Sequence, residues 1–460
     1  MKYAAILTYG CQMNVNESAK IKKILETMGY GMTDRIQKAD LVLLNTCTVR
    51  EGAATQIFGK IGELSAIKKQ RGTIIGVTGC FAQEQGRALI ERFPYVDLVL
   101  GNQNIGLIPQ MLRELAADGK NPLVATGDAN KLPEELPADF GEDKSASVVI
   151  SYGCDNFCTY CIVPYVRGRE RSVPREHILR EVRACLEKGH REILLLGQNV
   201  NSWGGDLGES DGFAGLLSDI CAIPGEFRIR FVSPHPRDFT KALIEVMGAN
   251  EKIARSVHLP MQSGATEILK RMNRGYTKED YLALAARIRE RIPDMALTTD
   301  IIVGFPGESE ADFRHTLDVV ETVRFDNAFT FLYSPRTGTV AAELPGQIPE
   351  AVKKDRLNRL MAVQDRISRE INETYYDKVL RVLVEGPSKK NPRILSGRSS
   401  TNKIVLFEGD GALKGNFADV RVHTCRTWTL YGNLINFSTL LNNTASNSNM
   451  DVLKNCKENK

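Results

Sequence analysis

Along residues 1–116, short apolar runs alternate with stretches of helical spacing. KYAAILT (2–8), ADLVLLN (39–45), TIIGVTG (73–79) and VDLVLG (96–101) read as buried strands, since runs this short between turn residues suit strands better than helices. NESAKIKKILETMG, EGAATQIFGKIGELSAIKKQ and QEQGRALIERF lie between them with apolar residues at helical intervals. Such alternation predicts an open, mostly parallel α/β sheet of flavodoxin-like type over 1–117. A Pro-, Gly- and acid-rich stretch without periodicity follows, GDANKLPEELPADFGEDKSA (127–146), and the linker is placed at 118–139. Six further strands, SVVIS (147–151), REILLLG (191–197), FRIRFVS (227–233), SVHLPMQ (256–262), LTTDIIVGF (297–305) and DNAFTFLYS (326–334), alternate with helical patterns. They predict a partial (β/α)6 TIM-like barrel over 140–370, with its site at the carboxyl ends of the strands. LNRLMAVQDRISREINETYY (357–376) reads as an amphipathic helix closing that domain. Short alternating strands with Gly, Pro and Asn turns then predict a small β-barrel over 373–436. The Asn-rich, polar tail 437–460 is expected to be disordered.

The cysteines give this frame its chemistry. Cys11, Cys47 and Cys80 each follow a predicted strand of the first sheet. Strand ends of a parallel sheet share one edge, so three thiols far apart in sequence can converge there. Buried cysteines also serve as small hydrophobes, but three at equivalent strand ends point to a metal site. Asn14, Asn45 and Gln12 flank them, either orienting the thiols or shaping the turns. The second set is local: SYGCDNFCTYCIVPYVRGR holds Cys154, Cys158 and Cys161 as C-x₃-C-x₂-C directly after the first barrel strand. A structural zinc site takes four ligands, and no neighbouring Cys or His completes this set, although zinc stays open as the alternative. A 4Fe–4S cluster held by three thiolates keeps one iron free to react. Cys185 and Cys221 fall on helices and read as core, Cys425 lies in the β-barrel, and Cys456 in the tail reads as incidental.

The C-x₃-C-x₂-C loop resembles that of the radical S-adenosylmethionine (SAM) enzymes. The resemblance implies that Cys154, Cys158 and Cys161 hold a 4Fe–4S cluster whose open iron takes SAM. It also places Tyr160 beside the adenine, with loop packing as the alternative role. GQN (Gly197, Gln198, Asn199) and the strand-end Ser233 resemble the SAM-contacting segments, and DIIVGFPGE, with Gly304, resembles the adenine-side motif. TYGCQMN, LLNTC, HLPMQSGATEILKRMNRGYT and FLYSPRTGT extend the likeness along nearly the whole chain, to the radical SAM methylthiotransferases and their tRNA-modifying branch. That resemblance implies a second 4Fe–4S cluster on Cys11, Cys47 and Cys80. The implied reaction adds a methylthio group to C-2 of N(6)-dimethylallyladenosine at position 37 of tRNA. Threonylcarbamoyl-adenosine in tRNA and a ribosomal-protein aspartate are the alternative substrates, and a non-catalytic RNA-binding iron–sulfur protein is the rival of another class. One departure is RSVPRE, where the branch usually reads Ser-Arg-Pro; Val173 puts a substrate-contact role for that turn in doubt. No general acid or base is assigned.

Composition narrows the setting. Of 460 residues 42% are hydrophobic and 25% charged, values of a globular chain, and the net charge of +4 permits an acidic partner. Residues 373–435 carry ten Lys and Arg against six Asp and Glu, a net +4 of their own, which suits a phosphate backbone unless these are simply solvated charges. SGRSSTNKIVLFEG there resembles the TRAM domain, an RNA-binding module. The expected partners are a tRNA anticodon stem-loop, a reducing electron donor and a sulfur- or cluster-supplying system, with no membrane. No apolar run reaches membrane-spanning length and MKYAAILTYG lacks a signal-peptide pattern, so a cytoplasmic monomer with reduced thiols is expected.

Overall fold

A computed structural model describes residues 1–48, 53–118, 121–127, 136, 138–141, 144–389 and 391–438. The tail with Cys456 and most of the Pro-rich stretch lie outside the described residues. The first sheet comprises β1 (Lys2–Thr8), β2 (Tyr30–Met32), β3 (Leu41–Thr46), β4 (Ile74–Gly79), β5 (Leu98–Leu100) and β6 (Leu123–Ala125). Its order is β2-β1-β3-β4-β5-β6 and every pairing is parallel. β1, β3, β4 and β5 are the four strands expected from pattern. β2 and β6 are three-residue edge strands, too short to stand out as apolar runs. β3 is buried on both faces, as its unbroken LVLLNT requires. The order reverses between β1 and β3, which opens a crevice at their carboxyl ends.

The second sheet begins with β7 (Ser145–Val149). The two-residue strands β8 (Ser151–Tyr152) and β9 (Arg171–Ser172) pair antiparallel and pinch together the two ends of the cysteine loop. β10 (Glu192–Leu196), β11 (Arg228–Phe231), β12 (Ser256–His258), β13 (Ala296–Val303) and β14 (Asn327–Leu332) complete six parallel strands. They form two three-stranded sheets, β11-β10-β7 and β12-β13-β14, joined through an Ile229–Ile253 bridge. Alternate residues Ala146, Val148, Ile193, Leu195, Val257, Leu297 and Ile301 point to one side, into the core shared with the surrounding helices. The opposite side is the concave face of an open half-barrel. Both of its edges are covered. Along β7, Asn16 Nδ2 of the helix Gln12–Thr27 donates to Ser147 O at 2.7 Å. Beside β14 runs the helix Glu350–Glu373, with Lys353 Nζ on Tyr333 O (2.8 Å) and Ser368 Oγ on Asp326 O (3.1 Å). Among the described residues no helix is long and apolar enough to cross a membrane.

β15 (Val379–Ser388), β16 (Asn391–Ser399), β17 (Ile404–Glu408), β18 (Phe417–Cys425) and β19 (Leu430–Ser438) close into a barrel of order β15-β16-β17-β19-β18. It docks on the amino ends of the half-barrel strands. Arg228 opens β11, and its Nη1 donates to Arg398 O at 2.8 Å and Ser399 O at 3.2 Å. Arg230 Nη2 also reaches Ser399 O, and Lys403 Nζ pairs with Asp326 at 2.7 Å. Arg228 is buried, so truncating it removes its charged hydrogen bonds to Arg398 O and Ser399 O, each worth about 1.5–3 kcal/mol. Arg228→Ala is therefore expected to lower the melting temperature by several degrees and to open the segment before β15 to proteases. Thermal unfolding followed by limited proteolysis checks this.

Candidate cofactor site at the junction of the two sheets

The first cysteine set sits where the strand order reverses. Cys11 follows β1 and Cys47 follows β3, on either side of the crevice, while Cys80 follows β4. Two glycines let the turns come so close. Gly10 has φ +138, and a Cβ there would lie 2.5 Å from Cys47 Cβ. Gly79 has φ +96, and its Cβ would lie 2.3 Å from Thr46 O. No side chain fits either place.

Cys11 is exposed at the mouth, and Cys47 and Cys80 are buried. Cys11 caps the helix Gln12–Thr27, with Asn14 N–H facing its sulfur and Asn14 Oδ1 accepting Cys11 N–H at 3.3 Å. A hydrogen bond from the Cys47 thiol, the Arg167 charge and these helix N–H groups outweigh burial and hold Cys11 down to about 5, a thiolate at neutral pH. Burial pushes Cys80 the other way. Asn14 and Asn45 lock together, Asn14 Nδ2 to Asn45 Oδ1 and Asn45 Nδ2 to Asn14 O, both at 2.8 Å. These asparagines orient the cysteine turns rather than merely occupying them. Gln12 is exposed beside them.

The second set follows β7. Cys154 and Cys158 are buried and Cys161 is partly so. Burial drives Cys154 up to about 12 and Cys161 to about 11, so in this apolar pocket a bound metal must displace their protons. Gln198 Oε1 accepts Gly153 N–H at 2.6 Å, tying the turn after β10 to the loop. Gly197 faces Ser151, where a Cβ would sit 2.4 Å from its hydroxyl. Asn199 donates to Asp238 at 2.7 Å while its own buried Oδ1 has no partner among the described residues. Ser233 takes φ +59, a conformation rare outside glycine, and its carbonyl accepts Val200 N–H at 3.3 Å. Gly304 N–H donates to Glu308 at 3.0 Å. Tyr160 is partly buried, packed against the cluster that contains Phe305 and Tyr333. The structure therefore gathers Tyr160, Gly197, Gln198, Asn199, Ser233 and Gly304 around one end of the half-barrel with the cysteine loop.

Four features were not legible as site residues. Arg167 sends Nε to Cys80 Sγ at 3.1 Å, and Arg274 sends Nη1 to Cys158 Sγ at 3.4 Å. Both guanidiniums are buried, one against each set. Arg336 donates to Thr48 O, next to Cys47, and its charge also reaches Cys161. Cys80 shares a small buried cluster with Ile162 and Val166, which follow Cys161. The two sets thus share a wall. The run RGRERSVPRE pairs mostly with local acids: Arg169 with Asp155 at 3.5 Å, and Arg175 with Glu209, Asp211 and Asp219. Val173 packs on the half-barrel core and its N–H donates to Ile150 O at 2.8 Å, a structural role for the departing residue. His235 is buried on Tyr276 and held neutral, near 2, by burial and the charges of Arg274 and Arg237.

Among the described residues no three His, Cys, Asp or Glu side chains stand close enough to hold one metal ion. A cluster seats each thiolate on its own iron and does not need that closeness. Soft thiolate donors, dry walls and N–H groups aimed at sulfur fit an iron–sulfur group at each set.

Comparison with known proteins agrees with this layout. Residues 3–101 match Uncharacterized protein family UPF0004, residues 148–320 the Radical SAM superfamily and residues 373–435 the TRAM domain. A tRNA-2-methylthio-N(6)-dimethylallyladenosine synthase of Fusobacterium nucleatum is 60% identical over 435 residues, covering 95% of this chain and 100% of the relative. Synthases of the same name from Acetivibrio thermocellus (49% identical, 94% and 91% covered) and Moorella thermoacetica (48%, 94% and 98%) also align. In fold, the chain resembles the radical SAM methyltransferase TsrM of Kitasatospora setae, with TM-score 0.56, 15% identity and 85% and 80% of the two chains covered. It likewise resembles the cobalamin-dependent SAM radical enzyme OxsB, with TM-score 0.54, 14% identity and 79% and 56% covered. With three matching domains in this order and full-length relatives at such identity, the chain belongs to the radical SAM methylthiotransferase enzymes, in the family of the tRNA-2-methylthio-N(6)-dimethylallyladenosine synthases.

Proposed function

We propose that this chain adds a methylthio group to C-2 of N(6)-dimethylallyladenosine at position 37 of tRNA. The observation that carries the reading is the shared wall: Cys80 clusters with Ile162 and Val166, which follow Cys161, and Arg167 of the same loop donates to Cys80 Sγ. In this reading Cys11, Cys47 and Cys80 hold one 4Fe–4S cluster, and Cys154, Cys158 and Cys161 hold the other together with SAM. When bound, these groups supply sulfur, a methyl group and the one-electron chemistry that an unactivated aromatic C–H bond requires. The chain's own part is placement. Gln198, Asn199, Ser233 and Gly304 hold SAM, Tyr160 lies beside its adenine, and the buried arginines fix the thiol turns.

The concave face of the half-barrel offers a place for the base. His258, Thr298, Asp300, Ile302, Phe329 and Phe331 share it, on the side of β12–β14 opposite the packed core. His258 pairs with Asp300 at 3.3 Å and stands edge-on to Phe329. Phe329 and Phe331 are 52% and 49% exposed, unusual for phenyl rings within a sheet. They suit a stacked purine carrying an apolar branched group. A threonylcarbamoyl group or a protein aspartate would bring a carboxylate toward Asp300, which disfavours both. Exposed Tyr376, just before β15, and Trp428, between β18 and β19, suit single-stranded RNA in a segment of net positive charge.

Anaerobic reconstitution with iron and sulfide, then SAM, reductant and tRNA bearing N(6)-dimethylallyladenosine, tests the reading by mass spectrometry of the nucleosides. A 2-methylthio product absent from both Cys47→Ala and Cys158→Ala supports it, and each variant should lose half of the wild-type iron. Cleavage of SAM without a modified nucleoside would move the substrate to threonylcarbamoyl-adenosine or the protein aspartate. No SAM cleavage and closed clusters would favour the non-catalytic rival.

Phe331→Ala separates stacking from chemistry. Loss of one stacked ring costs about 1–3 kcal/mol, so KM for the tRNA is expected to rise roughly tenfold while SAM cleavage without tRNA stays at the wild-type rate.

A further inference from the structure

Arg167 belongs by sequence to the SAM-side cysteine loop, yet its side chain serves the other cysteine set. It ends the short helix Val163–Arg167 just after Cys161 and crosses into the first domain. Nε donates to Cys80 Sγ at 3.1 Å, and Nη2 lies 3.0 Å from Glu17 Oε1. Glu17 comes from the helix that Cys11 caps. The two side chains are 4% and 7% exposed. Burying such a pair is costly unless every remaining polar atom is satisfied. Here Arg167 Nη1 and Glu17 Oε2 have no hydrogen-bond partner among the described residues. Unspent donor capacity on a dry guanidinium that touches Cys80 and lies within reach of Cys11 indicates a missing acceptor.

We propose that Arg167 is a positioning residue that completes the Cys11, Cys47 and Cys80 site from the neighbouring domain: its N–H groups bond the thiolate of Cys80 and the sulfur-rich group held there, and its charge offsets that group's negative charge. Glu17 braces the guanidinium from the Cys11 helix. The first cysteine set is then complete only when the radical SAM loop is docked against it. The consequence is electronic as well as steric. Hydrogen bonds to sulfur and local net charge set the reduction potential of an iron–sulfur cluster, and a nearby cation favours the reduced, more negative form. The proposal rests on the reading of this set as a cluster site, but not on the identity of the substrate.

The test isolates that cluster in the full chain with Cys154, Cys158 and Cys161 all changed to Ala, so that any remaining iron belongs to the first set. Midpoint potentials are measured by EPR-monitored titration for this background and for the same background with Arg167→Gln, Arg167→Lys or Glu17→Gln. Arg167→Gln is expected to shift the potential to more negative values, and Arg167→Lys, which keeps the charge, to shift it less. In the otherwise wild-type enzyme, Arg167→Gln should lower methylthio product roughly tenfold, a typical loss for a residue supporting a metal ligand, while SAM cleavage continues. An unchanged potential in Arg167→Gln with full iron content overturns the proposal and leaves Arg167 a structural tie. If Arg167→Gln takes up no iron, Arg167→Lys and Glu17→Gln decide: a potential shift in either supports the proposal, and wild-type potential in both overturns it. If the background chain itself holds no iron, the cluster reading of the first set falls. A shifted potential without tRNA product leaves the proposal standing and overturns only the substrate.

Discussion

Three thiols separated by tens of residues can meet only where the strands preceding them end side by side, and that constraint organises this protein. A parallel sheet brings its carboxyl ends to one edge, and the reversal of strand order between β1 and β3 opens that edge into a crevice. The half-barrel obeys the same rule, so its cysteine loop also lies at carboxyl ends. Placing the two edges face to face puts six cysteines along one seam. The seam carries buried charge among small apolar clusters, Met13 with Val149 and Leu196, and Cys80 with Ile162 and Val166. Arg167, Arg274 and Arg336 all act on it, and two of them touch sulfur. The guanidiniums of Arg167 and Arg274, both buried, are poor contributors to stability compared with a well-packed apolar seam. Their presence makes sense if the seam is built around charge that arrives with a bound group.

The strands and the cysteine placement were legible because both follow local rules. Apolar runs of strand length with helical spacing between them mark βα units, and a cysteine directly after each run falls on the shared edge. Other features were opaque for equally physical reasons. β2 and β6 are three residues long and pair with only one neighbour each, too short to leave a pattern of their own. β8 and β9 are held by the pinching of a loop, which leaves no periodic trace. The basic run after Cys161 reads as a surface charge, yet it divides: Arg167 goes inward to sulfur, while Arg169 and Arg175 are spent on nearby acids. Nothing local distinguishes these arginines, since burial of a charge is decided by partners distant in the chain, here Glu17 and Cys80.

The C-terminal barrel sits at the far end of the half-barrel from the cysteines. Arg228, Arg230 and Lys403 fasten it to the amino ends of the strands, where βα barrels invest in stability, leaving the carboxyl ends to chemistry. The half-barrel strands run from three to eight residues, and β13, the longest, spans about 25 Å at the usual rise per residue. A substrate touching both ends must bridge about that length. A single extended loop of a folded protein has no need of such reach, whereas a stem carrying a terminal loop spans it as a rigid body. The separation of the basic barrel from the cysteine seam therefore suits a structured RNA better than a protein loop.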